Sequence, residues 1–237
     1  MTYKLLEAFR GLFERNAYRH RNSTQGDYVA SLLIDDLLSI KRSPKLAAAV
    51  TAQASVLNKG NRTVGRRHRR GDGSFGAIVP NTEPLLVPES YLVALGEVAS
   101  IEIGTEVKIL AKSMIKQIDR VGTDMINQVK EFKHSNPKAI CIGIVGVNNA
   151  PIYRGFEGKR EWVTTGKGGH LHPIQEAAQA VQRIQARVES SLDELIVLRF
   201  IATNMQPLSF DWVDKLETSK HYGAALVRIA SLYETRF

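Results

Sequence analysis

A single cysteine, Cys141, stands in 237 residues, so no internal disulfide can form. Its setting in the apolar run AICIGIVGV marks it as a small buried hydrophobe rather than a reactive thiol. A reducing, cytoplasmic setting is the matching expectation. No apolar run approaches the roughly 18 residues that a membrane-spanning helix needs. The opening stretch MTYKLLEAFRGLFERNAYR is a helix interrupted by charge, without the apolar block of a signal peptide. Aromatic residues make up only 7% of the chain. Tyr153 and Trp162, with Arg160, are the residues that would stack on bases, and packing in core or loop is the simpler role for them. No GxxxxGK[ST] stretch occurs, and GIVG at Gly143–Gly146 has the wrong spacing for a dinucleotide fingerprint. His170 and His172 alternate in GGHLHP without a third ligand at zinc spacing, so ordinary structure accounts for them.

What is present is an ordinary globular composition, 43% hydrophobic and 24% charged. A chain of this length buries roughly 70–75% of its extended surface and needs no staples. With no repeat, low-complexity tract or linker, a single domain over residues 1–237 is expected. The formal charge is +8 and the pI about 9.6, which favours polyanionic partners. Lys59, Arg62, Arg66, Arg67, Arg69 and Arg70 crowd into one short segment that ends beside Asp72. Such a segment suits phosphate contacts, because each cation releases a counterion from the duplex.

Along the chain, residues 3–20 form a first expected helix, with Leu5, Phe9, Leu12 and Phe13 on its apolar face. A second begins near Ser23–Asp27, carries Asp35 and Asp36, and ends at Arg42-Ser43-Pro44. Ala47–Asn58 mixes alanines with Val50, Thr51 and Val56, and stays open between helix and strand. Glycines at 71 and 73 mark a turn before a short strand, Phe75–Val79, with Asp72 at its mouth. A long strand then spans Val98–Leu110, a helix 111–133, and a continuously apolar strand Ala139–Val147. Strand, helix and buried strand make a crossover whose default is right-handed and parallel. On the helix, Lys112, Lys116 and Arg120 recur every four residues and would stack as a stripe of cations facing a nucleic-acid backbone. Beyond Tyr153 the chain is glycine-rich and basic; a helix at 174–188, a strand at 195–202 and a helix at 213–234 complete it.

The strand VASIEIGTEVKIL carries the most chemistry. Its alternation puts Ile101, Ile103, Thr105, Val107 and Ile109 on one parity and Glu102, Gly104, Glu106 and Lys108 on the other. Glu106 and Lys108, about 6.6 Å apart along the strand, can therefore share one phosphate. Glu102 is about 13 Å back and is expected to stand outside that site. Two further acid-x-Lys triplets, Glu131–Lys133 and Glu157–Lys159, end a helix and sit in a glycine-rich loop respectively. Paired carboxylates with an adjacent lysine suit phosphodiester hydrolysis. Carboxylates hold a hard divalent ion, and the ammonium orients water or stabilises charge at phosphorus.

An acid opening a short apolar strand, then hydrophobic-Glu-x-Lys on the next, then helix and strand, resembles the PD-(D/E)xK nucleases. This superfamily includes most type II restriction endonucleases. The matching residues are Asp72 before FGAIV, and Glu106 and Lys108 in IEIGTEVKIL; the likeness covers roughly residues 23–150. The spacing from Asp72 to Glu106 is 34 residues, long for the family, so Glu89 and Glu97 stand as substitutes for the first acid. The resemblance implies an α/β, restriction-endonuclease-like core, a mixed central sheet flanked by helices, with residues 151–237 as an extension. It implies Mg²⁺ held by Asp72, Glu106 and the Val107 carbonyl, with Asp36 or Asp35 from the preceding helix completing the metal environment. It further implies a cytoplasmic endonuclease acting in restriction or defence, cutting double-stranded DNA as a homodimer to leave 5′-phosphate and 3′-hydroxyl ends. The alternative is a nucleic-acid-binding module that keeps the fold without cutting.

Overall fold

A computed structural model of the chain describes residues 2–19, 23–58, 71–85, 92–157, 160–164 and 173–237. Helices α1 (Lys4–Glu14), α2 (Ser23–Ser39) and α3 (Pro44–Thr51) lead into strands β1 (Ser55–Asn58) and β2 (Gly73–Ile78). Next come β3 (Leu95–Gly96), β4 (Val98–Leu110), α4 (Met114–Ser135) and β5 (Ile140–Asn148). A hairpin of β6 (Tyr153–Glu157) and β7 (Arg160–Thr164) precedes α5 (Pro173–Val188), β8 (Glu194–Ile201), β9 (Asp211–Trp212) and α6 (Lys215–Arg236). The segment left open by its mixed composition splits in two. The alanine-rich part is helix, started by Pro44 and by the Ser43 hydroxyl accepting the Leu46 N–H at 3.1 Å. The β-branched remainder is strand β1.

Seven strands form one mixed sheet in the order β3-β1-β2-β4-β5-β8-β9, so the fold is α/β. β1, β2 and β4 run antiparallel in succession. β5 and β8 follow parallel to β4, each reached through a crossover helix, α4 and then α5. On one face Phe9, Leu33, Ile142, Leu226 and Tyr233 pack in the larger core, supplied by α1, α2 and α6. On the other, Met125, Ile118, Ile184 and Val145 join α4 and α5 to the sheet. Both sides of β5 are thereby covered, as its unbroken apolar run requires. Among the described residues no helix is long and apolar enough to cross a membrane.

β4 departs from strict alternation. The ladder with β2 pairs Phe75 with Ile103 and then Gly76 with Ile101, so Glu102 is the extra residue of a β-bulge. Ile103 consequently packs in the larger core, whereas Ile101 packs beside Phe132 of α4. Glu102 is turned away from α4 and accepts hydrogen bonds from the Tyr233 hydroxyl of α6 at 2.5 Å and the Ser55 hydroxyl at 3.0 Å. The Glu106 face of β4 is covered by α4: Phe132 lies directly against Gly104, where any β-carbon would collide with its ring. The stripe of cations is also broken. Lys112 lies in the turn before α4, only 6% exposed and packed against Gly155 of β6, while Lys116 and Arg120 remain on the exposed helix surface.

Candidate active site at the β2–β4 junction

β2 starts at Gly73, opposite Thr105, so Asp72 stands where the β2–β4 ladder ends and β4 runs on with only β5 paired to it. The pleat directs the Val107 amide towards that vacated lane, where Asp72 Oδ2 accepts it at 2.8 Å. The same residue's carbonyl leaves the strand on the same side. Glu106, one residue earlier, accepts the backbone N–H of Asp72. The two acids are thus cross-tied, each carboxylate holding the other strand's backbone. Lys108 completes the group through an ion pair with Glu106 Oε1. The expected convergence of Asp72, Glu106 and Lys108 is what the fold produces.

The electrostatics follow from crowding. Glu106 is only 7% exposed. Burial, reinforced by the negative charge of Asp72 and only partly offset by Lys108, pushes its carboxyl up from 4.5 to about 7. Burial works against the Lys108 ammonium. The adjacent Glu106, together with Asp72 and Asp124 of α4, outweighs that and raises its pKa above the ordinary lysine value. Burial and the charge of Asp72 likewise raise the Tyr18 phenol. Two hard oxygen acids that repel each other, beside a strand carbonyl, form a donor set whose mutual repulsion a divalent cation would relieve.

The helix acids belong elsewhere. Asp36 is 2% exposed and accepts the Lys4 N–H at 2.8 Å, the Leu5 N–H at 3.0 Å and the Tyr222 hydroxyl at 2.9 Å. It caps the start of α1, where a carboxylate satisfies otherwise unpaired amides. Asp35 pairs with Lys4 Nζ at 2.8 Å and accepts the Leu92 N–H at 3.0 Å. The part of α2 that reaches Asp72 is Gly26, where a β-carbon would sit 3.0 Å from the Asp72 carboxyl carbon. Asp36 lies ten residues further along α2, about 15 Å down the axis. Its expected place at the metal is therefore overturned. Glu97 fails for a similar reason: it precedes Val98, which pairs with Ile78, about 17 Å along β2 from the Asp72 end.

Residues that sequence reading passed over are Tyr18, Gly26, Asp27 and Asp124. Asp27 shares a cleft with Asp72, and Asp124 faces Lys108 from α4. Their only signal was position near expected helix starts or faces, which does not reveal which turn meets the sheet. Tyr153 is buried and held by Asn204 at 3.4 Å, so it does not stack on bases. Arg160 and Trp162 lie on β7, and their side chains fall outside the described residues, as do Lys59, Arg62, Arg66, Arg67, Arg69, Arg70, Glu89, His170 and His172. Cys141 is fully buried, and that burial raises its thiol to about 11. No protein-family model, curated protein or solved structure matches the chain.

Proposed function

We propose that this protein is a metal-dependent endonuclease that hydrolyses DNA phosphodiester bonds, with a core of the restriction-endonuclease type. The observation that carries the reading is the cross-tied pair Asp72–Glu106 with Lys108 on the same strand. The order of elements supports it: helix, three antiparallel strands, crossover helix and parallel strand, with the acids at the β2–β4 junction.

Asp72, Glu106 and the Val107 carbonyl would hold Mg²⁺. When bound, that cation neutralises phosphate charge and makes a water nucleophilic at neutral pH. Asp72 orients the strand by holding the Val107 amide. Glu106 sits at the boundary between its acid and carboxylate forms at neutral pH, so the carboxylate needed for ligation predominates on the alkaline side. Lys108, kept protonated beside Glu106, places a fixed positive charge next to the phosphate and stabilises the charge that builds on its oxygens. A net charge of +8 favours the approach of a polyanion. A role in restriction or defence, double-stranded DNA as substrate and action as a homodimer belong to the same reading.

The decisive experiment is plasmid cleavage with Mg²⁺, and with a chelator, by wild type, Glu106→Ala and Lys108→Ala. Wild type is expected to cut only with the cation. Both variants are expected to lose at least about a thousandfold in rate while keeping their far-ultraviolet circular dichroism. Cleavage that survives either substitution, or that ignores the chelator, rejects the assignment.

A further inference from the structure

Helices α4 and α5 meet along a seam on the face of the sheet that also carries Glu106 and Lys108. Lys116 and Arg120 of α4 and Arg183 and Arg187 of α5 all stand exposed on it. The Asp119 carboxylate accepts Arg183 Nη2 at 3.3 Å and Arg187 Nη1 at 3.5 Å, and the Thr123 hydroxyl accepts Arg187 Nη2 at 2.9 Å. Among the described residues only Asp119 pairs with any of the four cations. Of the 24 acids in the chain, Glu89 and Glu157 alone have side chains outside the described set, and even together with Asp119 they would leave this seam positive.

The arrangement is built into the helix packing. Gly122 stands in the buried middle of α4, where glycine costs a helix about 1 kcal/mol relative to alanine. An added β-carbon there would run into Arg187 Cδ. The missing side chain lets the Arg187 stem lie against α4, and Asp119 and Thr123 fix its guanidinium at the surface. Ion pairs this exposed add little stability, so folding alone does not account for a mid-helix glycine that seats an arginine.

The seam also has a fixed place relative to the acids. Phe132 lies on Gly104. Eight residues back along α4, about 12 Å, and four residues on along β4, about 13 Å, Asp124 comes level with Lys108. Asp119 is five residues from Asp124, about 140° around the helix. The seam and the acid–lysine group therefore flank a single helix about 10–12 Å across, close to the roughly 12 Å width of the major groove. We propose that the α4–α5 seam binds the DNA backbone across one groove from the phosphate being cut, an inference that rests on the nuclease reading. Arg183 and Arg187 take the far phosphates, whose oxygens their planar forks can meet two at a time. Lys116 and Arg120 line the way between the two positions.

Fluorescence anisotropy of a labelled duplex, with chelator present to prevent cutting, tests this between about 50 and 200 mM salt. Each phosphate contact contributes about 0.9 to the slope of log affinity against log salt, so Arg183→Ala/Arg187→Ala is expected to lower the slope by about 1.8. Arg228→Ala removes an exposed arginine of α6, paired with Glu194 at 2.8 Å on the other face of the sheet, and is expected to bind as wild type does. An unchanged slope in the double variant overturns the proposal. So does a comparable loss from Arg228→Ala, because net charge rather than this seam would then govern binding. The plasmid assay keeps the two readings apart. Slope loss in a protein that does not cut leaves a DNA-binding seam and removes the nuclease. Cutting without slope loss removes the seam alone.

Discussion

Replacing Glu106 by glutamine keeps the side chain's shape and its acceptor for the Asp72 amide but deletes a buried charge. In the folded chain the Glu106 carboxyl titrates near 7 instead of 4.5. Between those values the native state holds a proton that the unfolded chain releases. Wild-type stability therefore falls as pH rises through that window and levels off above it. A displacement of this size corresponds to about 3 kcal/mol. Glutamine carries no such penalty, so the stability gap between the proteins should move by about 3 kcal/mol in the variant's favour between pH 4.5 and 8. For a chain of this size that is roughly 6–12 °C of relative melting temperature. Thermal unfolding of both proteins by circular dichroism, at pH 5 and at pH 8, reads it. Adding Mg²⁺ at pH 8 should then raise the melting temperature of wild type alone, by about 2.7 kcal/mol of stability at a hundredfold excess over the dissociation constant. A gap that does not change with pH would mean that Glu106 titrates as an ordinary surface acid. The account of the buried acid pair would then fail.

Three further outcomes separate the roles of neighbouring residues. Asp36→Ala should cost about 2–4 kcal/mol, the sum of a lost helix cap and a stranded Tyr222 hydroxyl, while the folded fraction cuts DNA at the wild-type rate; denaturant titration beside the plasmid assay measures both. Gly26→Ala gains up to about 1 kcal/mol through helix propensity but must push aside the Asp72 carboxylate, so its net effect on stability should stay within about 1 kcal/mol. The same substitution crowds the Asp72 carboxyl, 3.0 Å from the added carbon, and should slow cleavage; a loss of roughly tenfold or more is expected, equivalent to about 1.4 kcal/mol of barrier. Cys141, buried and with its thiol raised to about 11, should resist iodoacetamide in the native protein and react fully once denaturant is added.

Local pattern was enough for much of this molecule. The unbroken apolar run at β5, the helical spacing of α4 between two strands, and the Glu-x-Lys pair on a strand are short-range properties, and each appears where the sequence places it. The hairpin of β6 and β7 was hidden in a stretch whose glycines and charges read as loop. The bulge at Glu102 was hidden because the ladder's register depends on both strands, and alternation within one strand cannot show where its partner slips. Lys112 looked like the first cation of a helical stripe, but the helix starts two residues later at Met114, and this lysine is packed against the hairpin instead.

The sequence by itself determined that Glu106 and Lys108 share one face of one strand, because residues two apart on a strand project together whatever surrounds them. Only the tertiary structure decided which acid joins them. Asp72 enters because β2 begins one residue later and leaves the Val107 amide facing its carboxylate, and Asp36 is excluded because α2 docks with Gly26, not its far end, at that junction. The reason is physical. Propensity and periodicity act over a few residues, whereas the meeting of two carboxylates depends on how a helix and two strands, distant in the chain, share one packed core.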